Sequence, residues 1–364
     1  MDTSKLTIRQ MTMWFILYQL GSAFLVLPSN LASIAKQDAW ISLCLVLAVQ
    51  LLMILVYGGI AKQLNGASFD QHLQTLLGQW LGKLLLLLFT LMYPFLILSL
   101  VLRDLGDYIT TVILPETPME VIFVLMLGVV IYVLYCGVST IGRAAELLFF
   151  IVMGLLALGY LPLIPSANFT NLLPVFEFGW KPIVHASFTN IAFPYIESVL
   201  FLYFVSQTNR PEKWRAVVIK SSLISGFLFM CVTLIVIAVL SQQVVTSLNF
   251  PSYFVVRTIS YSEFFERFEI AVSVIWFIAI FFRMSLLMYV SAKGIAAVFQ
   301  LKDYRSLLIP FGLITFVIAG ILWPNTAILI TTYRAWPFYS MFFGIIFPIL
   351  IWLTGLFKQR VSQP

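Results

Sequence analysis

The chain has 364 residues, of which 61% are hydrophobic and only 10% charged, with a formal net charge of +6. Its mean hydropathy is +1.01. A soluble domain of this length carries far more charge, so composition excludes one and points to a polytopic membrane protein. The basic excess reads as cytoplasmic loops rather than a nucleic-acid surface.

In chain order, Met1 to Gln10 is polar. The first apolar run is too long for a signal-peptide core and lacks a small-residue cleavage site, so no cleaved leader is expected. A bilayer span needs roughly 20 apolar residues. By that rule ten helices are expected, near 11–34, 40–61, 81–102, 120–138, 145–163, 184–205, 217–241, 269–292, 307–323 and 336–357. The longer connections are 62–80, 164–183 and 242–268. The last holds Ser252 to Phe268, aromatic and mixed in charge, where short interfacial helices are expected. With the N-terminus inside, 14 lysines and arginines fall on the inner side and 6 on the outer, leaving Arg283 within a span. Both termini are therefore expected in the cytoplasm. The polar ends are too short to fold alone, so one membrane domain is expected over 1–364.

Nothing in the chain reads as an enzyme. Cys44, Cys136 and Cys231 lie in apolar runs without metal spacing and are expected as packed free thiols. His72 and His185 are far apart, and no glycine-rich phosphate loop occurs. No cofactor or metal is expected.

Two interruptions stand out. Asn190-Ile191-Ala192-Phe193-Pro194-Tyr195-Ile196-Glu197 sits inside the sixth span. Pro194 has no N–H and its ring clashes with the preceding turn. Freed backbone groups at membrane depth are tolerated only inside protein or along a cavity. The first span carries Gly21-Ser22-Ala23 and then Pro28. Taken singly, a small-residue run is more often a packing face and a mid-helix proline a kink. Taken together they fall at matching depth in two halves of five helices, about 11–163 and 184–357. Because five is odd, the halves run oppositely, as in inverted-repeat transporters whose sites lie where broken helices meet.

Several stretches together resemble the bacterial spore germination permeases. These are Leu6-Thr7-Ile8-Arg9-Gln10, Gln19-Leu20-Gly21-Ser22-Ala23-Phe24-Leu25-Val26-Leu27-Pro28, Gln37-Asp38-Ala39-Trp40-Ile41-Ser42, Ala192-Phe193-Pro194-Tyr195-Ile196-Glu197, and Phe343-Gly344-Ile345-Ile346-Phe347-Pro348 through Leu353. Such permeases are the B-type subunits of nutrient germinant receptors, within the amino acid–polyamine–organocation superfamily. The resemblance implies a ten-helix, five-plus-five inverted-repeat fold with discontinuous helices 1 and 6. It implies ligand between those helices and sensing of a small nutrient, often an amino acid, in the inner spore membrane. It implies an A-type membrane subunit and a C-type lipoprotein as partners. The first-helix motif here has Ala23 where glycine is often found, which narrows the space beside the backbone.

An unwound first helix would offer the N–H groups of Ser22, Ala23 and Phe24 to a carboxylate. The carbonyls of Asn190, Ile191 and Ala192 before Pro194 suit an ammonium. Phe24, Phe193 and Tyr195 could wall the pocket. Helix 3, which crosses the site in the superfamily, offers Tyr93-Pro94. Glu197 and Arg283 lie at similar depth at 1.5 Å per residue, and an unpaired charge there would be expensive. They are expected to form either a buried brace or a gate. Other charges read as local: Arg103, Asp104 and Asp107 as a rim or local pair, Glu146 as a first-turn complement to the dipole of helix 5, His185 as a cap. Ser285 and Ser291 form a weak sodium-site pattern. The expectation is a germinant-sensing subunit, with an amino acid transporter (proton- or sodium-coupled) and a structural scaffold with an unused site as rivals.

Overall fold

A computed structural model describes residues 5–21, 23–258, 269–323 and 326–361. Among them every regular element is helical, apart from an isolated parallel bridge between Leu6 and Thr208. Helix α1 spans Ile8–Leu20 and starts at a capping box. Thr7 Oγ1 accepts from the Gln10 N–H at 3.2 Å, and Gln10 Oε1 accepts from the Thr7 N–H at 3.1 Å. It stops at Gly21, with φ −20° and ψ −124°, and α2 (Ala23–Ala35) continues the path. A 3-10 corner at Lys36–Asp38 leads into α3 (Ala39–Gln63). The amphipathic α4 (Phe69–Leu77) precedes α5 (Gln79–Met92) and α6 (Pro94–Tyr108). Proline at the first position of α6 is tolerated because that N–H has no helical partner, so α5 and α6 bend at Tyr93 without ending the span. Then come α7 (Met119–Cys136), α8 (Val138–Tyr160) and α9 (Trp180–Asn190). A π turn at Ile191–Tyr195 and a 3-10 helix at Ile196–Phe204 complete the path of α9. The rest is α10 (Trp214–Ser247), α11 (Pro251–Phe254), α12 (Glu269–Val298), α13 (Leu308–Ile321), α14 (Thr326–Met341) and α15 (Phe347–Val361).

Eight helical stretches among the described residues are long and apolar enough to cross a bilayer, against the ten expected. The difference lies in the interrupted spans. The second half of the first span, α2, is continuous with the second span through the Lys36–Asp38 corner, and neither α1 nor α9 is long enough to cross alone. Several other boundaries lengthen. The third span runs from Gln79 to Ile113 rather than 81–102, and α10 reaches Ser247, with a kink at Ser241 (φ 67°). In the connection 242–268, α11 and a 3-10 turn at Val255–Thr258 are short helices of the kind expected there; 259–268 lie outside the described residues.

The centre of the bundle is α12, against which α1, α5, α6 and α8 pack. Its middle, from Phe282 to Ala292, is wholly buried. Large apolar side chains such as Leu52, Leu125 and Leu147 are exposed, as on a surface that faces lipid. The segment Ile196–Phe204 is buried at every residue, between α3, α12 and the π turn Phe342–Ile346 that joins α14 to α15.

Close approach at that joint depends on Gly344, where an added Cβ would lie 2.8 Å from Ile196 Cβ and 2.9 Å from its Cγ1. Gly344→Ala is expected to cost about 1–3 kcal/mol by overpacking. Gly154→Ala on α8, where nothing lies within 4 Å of an added Cβ, should not lower stability. Thermal unfolding of both variants in detergent tests this, and equal midpoints would refute the close packing at Gly344.

Candidate ligand-binding site

The two interruptions meet. At the first, the Gly21 N–H donates to Leu17 O at 3.2 Å, and the chain then leaves helical geometry. Ser22 lies outside the described residues. Ala23 and Phe24 are buried, and the Phe24 ring packs edge-on against Tyr160 at 5.9 Å. At the second, Phe193 is extended (φ −150°, ψ 113°) and the Phe193–Pro194 bond is cis.

Carbonyls freed around Pro194 must find donors in a place without water. The neighbouring helices supply them. Ser340 Oγ on α14 donates to Ala192 O at 3.3 Å, and lies 3.0 Å from Tyr93 Oη. Gln50 Nε2 on α3 donates to Tyr195 O at 3.1 Å, as does Ser198 Oγ at 2.7 Å. Tyr57 Oη on α3 donates to Gly344 O, with Ile196 O also within reach at 3.3 Å. Asn190 uses its side chain locally, Nδ2 donating to Ala186 O at 2.9 Å, and Ile191 is buried. The Ala192 carbonyl, expected to face an ammonium, is therefore already held by a hydroxyl, and Tyr93 is joined to the break through that same serine.

Between the interruptions lies a charged core. Arg283 Nη2, from the middle of α12, donates to Glu197 Oε1 at 2.8 Å and Oε2 at 2.6 Å. Both side chains are 0% exposed. Tyr18 Oη on α1 donates to Glu197 Oε2 at 2.6 Å. The guanidinium carbon lies 5.0 Å from the Tyr18 ring centroid and 4.7 Å from that of Phe193, within cation–π range. Gly21 makes room for the arginine stem, since a Cβ there would sit 2.7 Å from Arg283 Cδ. The Glu197–Arg283 pair is thus built into the break rather than standing beside it. It joins the first, sixth and eighth expected spans at one point.

Among the described residues, the Nε and Nη1 donors of Arg283 have no partner. Nor have Tyr195 Oη, Ser285 Oγ or Ser291 Oγ, although all are buried. The pair is end-on: Nη2 alone serves both glutamate oxygens.

The other charges meet expectation in part. Helix α8 starts at Val138, so Glu146 is not in its first turn; it bonds Arg9 Nε at 2.9 Å instead. Arg103 and Asp107 form a local pair at 3.1 Å along α6. His185 is exposed on α9, and His72 is buried on α4. The sequence reading missed Tyr18, Gln50, Tyr57 and Ser340. Their signal was available: each is a polar or amphipathic group inside an apolar run, where polar side chains need a partner.

Residues 5–327 match the family model described as spore germination protein. The chain belongs to the spore germination protein family. The chain is 28% identical to spore germination protein KB of Bacillus subtilis (strain 168), over 99% of this chain and 97% of that one. It is 26% identical to YndE of the same organism, over 86% and 85% respectively, and 24% identical to spore germination protein A2, over 94% and 93%. In fold it is similar to a crystal structure of a manganese transporter from Eremococcus coleocola. The TM-score is 0.53 at 13% identity, covering 97% of this chain and 78% of the transporter. This spore germination protein is therefore a multi-pass helical membrane protein with a permease-like fold.

Removing one partner of a buried pair leaves the other charge uncompensated. Arg283→Met in this spore germination protein is expected to cost about 3–5 kcal/mol. Adding Glu197→Gln to it should recover most of that loss. Apparent stabilities of the two single variants and the double variant in detergent check the coupling. Additive losses would mean that the two side chains do not interact.

Proposed function

We propose that this chain is the nutrient-sensing permease subunit of a germinant receptor, with a small nutrient, an amino acid, bound between the interrupted first and sixth spans. The observation that carries this reading is the convergence of Gly21, Phe193, Glu197 and Arg283 at one fully buried point. Two broken helices around a charged core are costly to build, and such cost is characteristic of binding sites in membranes. The family membership and the similarity to spore germination protein KB support the germination context.

In this reading the chain forms ten spans, five plus five in inverted repeat, with both termini cytoplasmic in the inner membrane of the spore. It works beside an A-type membrane subunit and a C-type lipoprotein. Ligand shifts the balance between two states of the subunit by as much as it prefers one of them. Because Glu197 and Arg283 tie α12 to the sixth span, a ligand that loosens or tightens that tie changes how the two move together. The pair then acts as a gate as well as a brace.

The test is a comparison of binding, flux and response. The purified chain should be stabilised thermally by a nutrient from a panel of amino acids, sugars and nucleosides, by mass action on the folded state. Gly21→Trp, which drives a ring into the Arg283 stem, should abolish both that shift and the germination response in an assembled receptor. Accumulation of labelled amino acid in proteoliposomes by the chain alone would instead assign transport. A germination response that survives Gly21→Trp would leave the chain a scaffold.

A further inference from the structure

The guanidinium of Arg283 carries five N–H donors in a fixed plane. Its Nη2 serves Glu197, while Nε and Nη1 are unpartnered among the described residues although the side chain is 0% exposed. A buried charged donor without an acceptor costs free energy that a structure does not leave unspent without cause. The surrounding rings, Tyr18 and Phe193, cover the guanidinium face but offer no acceptor to its edge. Glu197 has no need of a further donor, since Tyr18 and Arg283 already bond it.

We infer that Arg283 anchors the ligand of this site, receiving the carboxylate of an α-amino acid on Nε and Nη1 while Nη2 stays on Glu197. The inference rests on the binding reading above and names its ligand class. Arginine is the side chain suited to a planar carboxylate, and its charge-assisted bonds are roughly twice as strong as neutral ones. Charge balance selects the class further. The internal pair is neutral, so a bare carboxylate would leave a net negative charge buried. A ligand that carries its own ammonium beside the carboxylate keeps the site neutral. The anchor differs from the backbone N–H groups of the first helix, which a site of broken helices would otherwise use.

Of Tyr18, Glu197 and Phe193 around the guanidinium, Phe193 is the least buried. Tyr18, Glu197 and Arg283 are fully buried, whereas Phe193, 4.7 Å over the guanidinium, is half-buried. Its extended backbone at the interruption lets the ring turn aside without unwinding a helix.

The experiment uses the purified full-length chain and four sets of probes: the common L-amino acids, their methyl esters, their des-amino acids, and a set of sugars and nucleosides. An amino acid is expected to stabilise the chain. Its methyl ester, which lacks the anion, and its des-amino acid, which lacks the cation, should each bind at least tenfold more weakly. The neutral double variant Glu197→Gln/Arg283→Gln should lose at least tenfold in amino acid affinity while keeping its helical content and its elution volume. An ester that binds as well as the free acid overturns the anchor and leaves the binding reading intact, as does stabilisation by a sugar or nucleoside alone. A double variant with unchanged affinity overturns it too. No stabilisation by any probe sinks the binding reading itself. If the double variant fails to fold, the ligand series on the unaltered chain decides.

Discussion

A guanidinium that cannot reach water organises the middle of this protein. Arg283 sits fully buried in α12, and nearly everything around it answers to its charge. Glu197 neutralises it, Tyr18 completes the acid's bonds, and two aromatic faces cover its plane. The stem needs a position without a side chain on the first helix, which Gly21 supplies. A charge held this way sets the relative position of three helices more tightly than apolar contact, because every displacement exposes an uncompensated ion.

The second constraint is the backbone. Interrupting a helix at membrane depth frees carbonyls, and neighbouring helices supply side-chain donors to several of them. Gln50 and Tyr57 come from α3 and Ser340 from α14. The eighth expected span is tied in the same way, since Trp14 Nε1 on α1 donates to Phe282 O at 3.1 Å. Gln19 on α1 accepts from Ser225 on α10. The result is a polar lattice inside an apolar bundle. Such lattices specify one arrangement strongly when complete and invite a ligand where they are not. Among the described residues, they are incomplete at Arg283.

The proposed function draws on the same asymmetry. A sensor must have two states close in free energy, and ligand must prefer one. Elements tied by a few strong polar bonds, rather than by broad apolar contact, can exchange those bonds without repacking a core. The break at Phe193 and the end-on geometry of the Glu197–Arg283 pair are suited to such an exchange. The similarity to transporters is one of fold, in which broken spans serve binding sites in many contexts.

Much of this was legible in the chain itself. Apolar run length located the spans, because lipid admits only segments that satisfy their own backbone. Gly21 and Pro194 marked the interruptions, because one lacks a side chain and the other a donor. The rarity of charge within the runs singled out Glu197 and Arg283. Tertiary structure decided the rest. It put the ion pair inside the break instead of beside it, turned Phe24 toward Tyr160, and joined Glu146 to Arg9. It also determined that the Ala192 carbonyl belongs to Ser340. These depend on which face of each helix meets which neighbour, at separations of tens to hundreds of residues. Hydropathy along a chain records how deep a residue lies in the membrane. It carries no record of rotation about a helix axis, and so the partners of Arg283 appear only once the helices are packed.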